Sequence, residues 1–127
     1  MHEETNVLGT RLIACCLDPV TGYMRDGYCR TIDGDQGRHL VCAVMTSEFL
    51  AFSRSRGNDL ITPMPSYQFP GLKPGDKWCL CIDRWIEAYQ AGVAPNLYLE
   101  ACNSKILEKV SLDILITFQD PASNTKK

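Results

Sequence analysis

The sequence has little of several features that would assign a function directly. Its 13 Lys and Arg residues are balanced by 15 Asp and Glu residues, and the net charge is -2. A surface that neutralises nucleic-acid phosphates needs clustered basic residues, which this chain lacks. Its longest clear apolar run covers residues 40–45, far short of the roughly 18 residues that cross a bilayer. We therefore expect neither a nucleic-acid partner nor a membrane partner.

Two familiar cofactor signatures are also absent. No glycine-rich phosphate loop follows any predicted strand, which disfavours the well-known modes of nucleotide binding. No Cys-x2-Cys knuckle occurs, because the closest non-adjacent cysteines are Cys79 and Cys81, whereas zinc fingers and ribbons use such knuckles. We expect no cofactor and no metal, although Cys79 and Cys81 on one strand face, with Cys42, form a weak alternative metal set.

Cysteine, by contrast, is abundant, with residues at positions 15, 16, 29, 42, 79, 81 and 102. An odd number of cysteines cannot pair completely. The acidic start of the chain, Met1 to Thr5, is not followed by the apolar segment of a secretory signal. Both features favour a reducing compartment, and we expect a cytoplasmic protein. Cys42, Cys79 and Cys81, in strands that are apolar on both faces, are predicted to be buried, reduced and metal-free.

A length of 127 residues is typical of one globular domain, which we expect over residues 1–120, followed by a disordered tail at 121–127. The first third is rich in turn residues, such as Asp33-Gly34-Asp35, and is predicted to be irregular. Residues 57–77 hold four prolines and three glycines. This long loop either covers one face of the sheet or folds over a binding site.

Three apolar segments are each followed by a helical pattern. The predicted strands cover residues 40–45, 78–82 and 97–102, and the predicted helices begin after Thr46-Ser47, at Asp83 and after Asn103-Ser104. The first of these helices is predicted to end at Gly57, and Trp85 is predicted to be a core residue on the second. The third strand alternates in polarity and is placed nearer an edge. This order predicts an α+β or α/β fold with a small mixed, partly parallel sheet, in which helices follow the three later strands.

Several runs of the chain resemble the domain-of-unknown-function family 2237. They are Asn6-Val7-Leu8-Gly9, Thr21-Gly22-Tyr23-Met24-Arg25-Asp26-Gly27-Tyr28-Cys29, Val41-Cys42-Ala43-Val44-Met45-Thr46, Arg56-Gly57-Asn58-Asp59-Leu60, Phe69-Pro70-Gly71-Leu72-Lys73-Pro74-Gly75-Asp76-Lys77-Trp78-Cys79-Leu80-Cys81, Arg84-Trp85 and Ala91-Gly92-Val93-Ala94-Pro95. The resemblance covers about residues 6 to 118. It implies a small cytosolic-type domain and supplies no activity, cofactor or catalytic residue that could be transferred.

One departure from the family pattern bears on mechanism. Family members commonly have Ala-Thr-His where this chain has Ala101-Cys102-Asn103. A mechanism that depends on a histidine at this position is therefore excluded for this chain.

The first functional hypothesis is a binding site at the strand-to-helix junctions. If the strands are parallel, helix N-termini meet at one edge of the sheet, where their N–H groups favour an anion. The candidate ligand-binding residues are Thr46, Ser47, Arg84, Asn103 and Ser104, with Arg25, Asn58 and Asp59 in nearby turns. The plain alternative is that these residues are caps and turns, with Arg84 paired to Glu87.

The second hypothesis is an enzyme that uses a cysteine thiol. Cys81 and Cys102 both lie at predicted helix starts, where a thiolate is stabilised, and Arg84 is close to Cys81 in sequence. His39 is the candidate base, because His2 lies near the chain start. His39 opens its strand at the end opposite to the helix that follows, which argues against this pairing. We thus expect a non-catalytic domain that binds a small polar or anionic molecule or a protein partner, with the thiol enzyme as the alternative. Self-association is left open.

Overall fold

The computed structural model describes residues 4–16, 21, 26–35, 38–67 and 69–121. The strands are β1 (His39–Val44), β2 (Lys77–Cys81) and β3 (Asn96–Leu97). The α-helices are α1 (Ser47–Ser55), α2 (Ile82–Gln90) and α3 (Leu112–Thr117), and short 3-10 helices cover Pro65–Tyr67, Leu99–Ala101 and Ser104–Glu108. Within the described ranges, no helix is both long enough and apolar enough to cross a membrane.

The sheet has the order β2-β1-β3, and both neighbours pair with β1 in the antiparallel sense. The prediction of a partly parallel sheet was therefore wrong for the three strands. Among the described residues, only an isolated bridge between Leu97 and Gln119 is parallel. The segment that connects α1 to β2 is long enough to allow either parallel or antiparallel pairing of β2 with β1. It leaves α1 and returns beside the end of β1, since Met45 exchanges backbone hydrogen bonds with Gly75 and Asp76.

The central position of β1 explains its composition. Leu40, Val41, Cys42 and Ala43 are all at most 1% exposed, because elements cover both faces of this strand. Such strands read as continuous apolar runs rather than alternating ones. The core extends from β1 through Trp85 on α2 and Phe49 on α1, which are each 1% exposed.

The third predicted strand is shorter than expected. β3 holds only two residues, and the chain then turns into the 3-10 helix Leu99–Ala101. Tyr98 still donates a backbone hydrogen bond to Cys42, and Asn103 donates one to Leu40, so the segment continues beside β1. The apolar residues of 97–102 are buried by this turn rather than by strand alternation. The predicted position of the third strand at an edge of the sheet is confirmed.

The helix starts agree well with the sequence patterns. Thr46 caps α1 by accepting a hydrogen bond from the N–H of Phe49 at 3.0 Å. Asn103 caps the 3-10 helix that follows it. α2 begins one residue before the predicted cap, with Cys81 rather than Asp83 in the N-cap position. Trp85 is a core residue as expected, and its indole N–H donates to the carbonyl of Pro95 at 3.1 Å.

The cysteines differ most from expectation. Cys15 is bonded to Cys42 and Cys29 to Cys79, whereas Cys16, Cys81 and Cys102 are free. The prediction that Cys42 and Cys79 are reduced was therefore wrong, although both are buried. The described parts of residues 4–38 form no named helix or strand, as expected, and the two disulfides tie this irregular segment to the sheet.

Residues 57–77 cover one face of the sheet. Phe69 packs edge-on against Trp78 with ring centroids 5.0 Å apart, and Leu60 and Leu72 are buried and joined by a backbone hydrogen bond. Gly71 allows this packing, because a Cβ there would lie 2.4 Å from the carbonyl oxygen of Ile61. The side chain of Tyr67 and all of Gln68, like residues 122–127 of the predicted tail, lie outside the described residues.

The stability of the variant Gly71→Ala tests this packing, and the variant Gly75→Ala is the control. Both glycines have positive φ, 82° and 96°, but the space beside Gly75 is open. Gly75→Ala should cost about 1 kcal/mol from backbone strain alone. Gly71→Ala should cost about 1 to 3 kcal/mol more, because the methyl group meets backbone. Denaturant unfolding measures both, and equal losses would show that the Ile61 contact does not constrain the loop.

Removing one disulfide tests the attachment of the N-terminal segment. The Cys29–Cys79 bond closes a sequence separation of 50 residues, so the double change Cys29→Ser and Cys79→Ser should lower the free energy of unfolding by about 2 to 4 kcal/mol in oxidising buffer. Cys16→Ser, which removes a free thiol, is the control and should change it by less than about 0.5 kcal/mol. An unchanged unfolding midpoint in the double variant would contradict the cross-link.

Candidate functional site

A cavity of about 200 Å³ opens at the end of the sheet where β1 begins and β2 ends. Its lining includes the polar residues Cys81, His39, Arg84 and Asn58. The other lining residues are Leu60, Trp78, Leu80 and the disulfide-bonded Cys79. The sheet contributes the thiol and the imidazole, α2 contributes the guanidinium, and residues 57–77 contribute the amide and one apolar wall. Four of the sequence candidates thus line one cavity.

The antiparallel pairing brings His39 and Cys81 together. They are partners across β1 and β2 at the end of the ladder, where the register shifts between His39 and Val41, and both line the cavity. The sequence argument against this pair assumed parallel strands, in which the start of β1 would lie far from the end of β2. That objection was wrong because the two strands run in opposite directions.

A carboxylate fixes the orientation of His39. Nδ1 of His39 lies 2.7 Å from Oδ1 of Asp35, and the backbone N–H of His39 donates to Oδ2 at 2.9 Å. The side chain of Asp35 is 2% exposed, whereas that of His39 is 36% exposed. A buried acceptor on Nδ1 selects the tautomer in which Nε2 can exchange a proton. Asp35 was read from sequence only as a turn residue, and its spacing of four from His39 was the available signal.

Cys81 lies at the N-cap of α2 and is half-buried. Its side chain makes no capping hydrogen bond. A residue at this position lies beside the first N–H groups of the helix, which stabilise negative charge on nearby atoms. The arrangement therefore gives a partly accessible sulfur, an imidazole on the neighbouring strand and a helix N-terminus around the same point.

Arg84 lies in the first turn of α2 and is about one third exposed. One nitrogen, Nη1, donates to the carbonyl of Arg56 at 3.1 Å and lies 3.3 Å from Oε1 of Glu87. The pairing with Glu87 is the plain alternative considered from sequence. Glu87 also lies 3.7 Å from Arg56, so two guanidinium groups share this one carboxylate.

Cys102 has an environment that opposes nucleophilic chemistry. It is fully buried, and its Sγ lies 3.5 Å from the carbonyl oxygen of Cys42, to which it donates. Burial raises the pKa of the Cys102 thiol from 9.0 to about 12. Because the thiolate is the nucleophilic form, Cys102 is a structural residue near neutral pH.

The remaining strand-end candidates do not share one edge. Thr46 and Ser47 follow β1 at the end where β2 starts, opposite to Arg84, because the strands are antiparallel. Asn103 is buried beside the start of β1, where its Nδ2 donates to the carbonyl of Cys29 at 3.0 Å. Ser104 accepts a hydrogen bond from the hydroxyl of Thr5. The common edge expected for these residues was wrong.

The turn candidates are placed as follows. Asp59 is exposed, and hydrogen bonds from the Thr62 hydroxyl and from the N–H groups of Ile61 and Thr62 lower the pKa of its carboxyl. It therefore holds the turn after Asn58. Arg25 lies outside the described residues. Asp26 accepts a hydrogen bond from the N–H of Tyr28 and pairs with Arg30.

A second cavity, of about 270 Å³, has Asp35 in its lining. Its charged lining includes Arg30, Arg38 and Lys105. Each of these is already paired with a carboxylate, since Arg30 contacts Asp26, and Arg38 and Lys105 both contact Glu108. This cavity contains no thiol or imidazole among its lining residues and offers less chemistry than the first.

The fold and the first cavity define a small α+β domain with a half-exposed thiol beside a histidine–aspartate pair. The family described as an uncharacterized protein conserved in bacteria (DUF2237) matches residues 5–119, and the chain belongs to this family. The resemblance seen in the sequence is thereby confirmed. No curated protein matches the chain.

Thiol modification at pH 8 tests the contrast between the free cysteines. We expect Cys81 to be alkylated by iodoacetamide in the native protein and Cys102 to stay unmodified until denaturant is added, because its thiol is neutral and enclosed. Peptide mass mapping identifies the sites, and Cys16 is a half-buried reference thiol. Modification of Cys102 at the same rate as Cys16 in the native protein would contradict its burial.

Proposed function

We propose that the protein is a thiol-dependent enzyme in which Cys81 is the nucleophile, His39 exchanges its proton and Asp35 orients His39. The observation that carries this proposal is the register pairing of His39 with Cys81, combined with the 2.7 Å contact between His39 Nδ1 and Asp35. A nucleophile, a base and a group that orients the base are the recurring parts of such sites.

The covalent step balances without a cofactor. The Cys81 thiol gives its proton to Nε2 of His39 as the sulfur forms a bond to an electrophilic carbon of the substrate. The bond from that carbon to the leaving group breaks, and the leaving group takes the proton back from His39. Buried Asp35 stabilises the imidazolium that exists between these two transfers.

The cavity supports a small, negatively charged substrate. Its volume of about 200 Å³ is below the roughly 300–1,000 Å³ of cavities for drug-sized molecules. Arg84 supplies the positive charge, and the Asn58 amide supplies a neutral donor and acceptor on the facing wall. Leu60 and Trp78 provide apolar surface. We therefore place the substrate among small carboxylates or phosphates that carry an electrophilic carbon.

A second candidate is reversible binding of a small anion in the same cavity with no covalent step. The observation that favours it is the position of Arg84 in the wall. In that case Cys81 would line the cavity without forming a bond to the ligand. The two candidates differ in whether His39 accepts the proton of the Cys81 thiol, and the experiments below distinguish between them. A cytoplasmic location, expected from the sequence, is compatible with both candidates.

The first experiment measures the alkylation rate of Cys81 relative to Cys16 in the same molecule at pH 7. We expect Cys81 to react faster, and we expect His39→Gln to slow Cys81 about tenfold while leaving Cys16 unchanged, because the imidazole accepts the thiol proton. Asp35→Asn should also lower the alkylation rate of Cys81. Equal rates for the two thiols, unaffected by His39→Gln, would reject the catalytic proposal and favour the binding candidate.

The second experiment compares iodoacetate, which is an anion, with neutral iodoacetamide. The ratio of their rates at Cys81 should exceed the ratio at Cys16, because Arg84 attracts the carboxylate. Arg84→Gln should lower the Cys81 ratio roughly two- to fivefold, in line with a partly exposed charge. Arg54→Gln removes the same charge from an exposed position on α1 and is the control. Equal effects of the two variants would contradict anion recognition by Arg84.

A further inference from the structure

Four buried cysteine sulfur atoms form a cluster within the core. Cys81 is not a member of this cluster. Its members are Cys15, Cys29, Cys42 and Cys79, each at most 3% exposed. The Sγ atoms of Cys15, Cys29 and Cys79 all lie within 4.8 Å of one another, and Cys42 is bonded to Cys15. The two disulfides are therefore adjacent.

The sheet and the N-terminal segment contribute equally to this cluster. Cys42 and Cys79 are register partners on β1 and β2, so their side chains share one face of the sheet. Cys15 and Cys29 come from the irregular segment that covers this face. Its position is set by backbone hydrogen bonds such as that from Cys15 to Gly27 and by the bond from Asn103 to the carbonyl of Cys29.

The spacing of the sulfurs is close to that of a four-thiolate metal site. Zinc binds cysteine sulfur at about 2.3 Å in tetrahedral geometry, which places ligand sulfurs about 3.8 Å apart. Three of the sulfurs already lie within 4.8 Å of one another, and the fourth, on Cys42, is bonded to one of these three. Side-chain movements alone can then bring all four to that arrangement once the S–S bonds are broken. Four thiolates favour zinc over magnesium or calcium, which prefer oxygen ligands.

We propose that Cys15, Cys29, Cys42 and Cys79 form a tetrahedral zinc site when their two disulfides are reduced. The chain then has two forms, one cross-linked by disulfides and one cross-linked by zinc, in which the same residues attach the N-terminal segment to the sheet. A reducing compartment keeps thiols free and would favour the zinc form. This proposal does not depend on the chemistry of Cys81.

Both directions of the conversion balance. A phosphine reductant and one water molecule convert each disulfide into two thiols and give one phosphine oxide. Binding of Zn²⁺ by the four thiols releases four protons. In reverse, two molecules of hydrogen peroxide and four protons take four electrons from the four zinc-bound thiolates. This step gives two disulfides, free Zn²⁺ and four water molecules.

The test uses the full chain, reduced with excess phosphine under anaerobic conditions, exposed to Zn²⁺ and desalted. Elemental analysis should find about one zinc ion per chain, and addition of two equivalents of peroxide should release it to a chromophoric chelator. Substitution with Co²⁺ should give the absorption of a tetrahedral thiolate site. This spectrum needs no mutation, so the test does not depend on the folding of a variant.

Variants then assign the ligands. Cys29→Ser and Cys42→Ser should each abolish zinc retention, whereas Cys81→Ser and Cys102→Ser should retain about one zinc ion. Circular dichroism of the reduced proteins checks that each variant is folded. A reduced wild-type chain that retains no zinc and shows no Co²⁺ thiolate absorption would overturn the proposal. So would zinc that is lost in Cys81→Ser but kept in Cys29→Ser, since the ligands would then lie elsewhere.

Discussion

The antiparallel pairing of β1 with β2 is the constraint on which the rest of the structure depends. Its register sets Cys42 opposite Cys79 in the middle of the strands and His39 opposite Cys81 at one end. The cysteines of the first pair form disulfides with the N-terminal segment, and the residues of the second pair line the cavity. A parallel arrangement of the same residues would separate His39 from Cys81, because the start of one strand would lie beside the start of the other.

The two groups of sulfur-bearing residues have different physical settings although they share a strand. Cys79 is enclosed by the core, whereas Cys81, two residues later, lies at the boundary between β2 and α2 and is half-exposed. Burial makes a thiol a small apolar group or a cross-link, whereas a half-exposed thiol stays accessible to reagents. The fold therefore gives different environments to cysteines that look alike in sequence.

Local features of the fold could be predicted from sequence because they depend on a few neighbouring residues. Thr46 as a cap, Gly57 as the end of the first helix and Trp85 as a core residue follow from capping preference, backbone conformation and apolar spacing. The antiparallel direction of the strands could not be predicted, since the loop of residues 57–77 permits both parallel and antiparallel pairing. The disulfides were also missed, because Cys15 and Cys29 come from a segment without periodic pattern.

The candidate site was only partly visible in the sequence for the same reason. His39, Cys81, Arg84 and Asn58 were each singled out, but His39 and Cys81 were assigned to opposite ends of the sheet. Asp35 was overlooked because its carboxylate was read as part of a turn, whereas it accepts both the backbone and the ring hydrogen bonds of His39. Long-range pairing, rather than residue type, decides which polar groups meet.

The most direct test of this account is the proximity of the His39 imidazole and the Cys81 side chain in solution, measured by nuclear Overhauser effects. A cross-peak should appear between the His39 ring protons and the Cys81 β protons, because the two residues are partners across β1 and β2 and line the same cavity. The account predicts this cross-peak in the native protein and its loss in Cys81→Gly. Cross-peaks from the His39 ring only to residues at the opposite end of β2, near Lys77, would contradict the register and the site built on it.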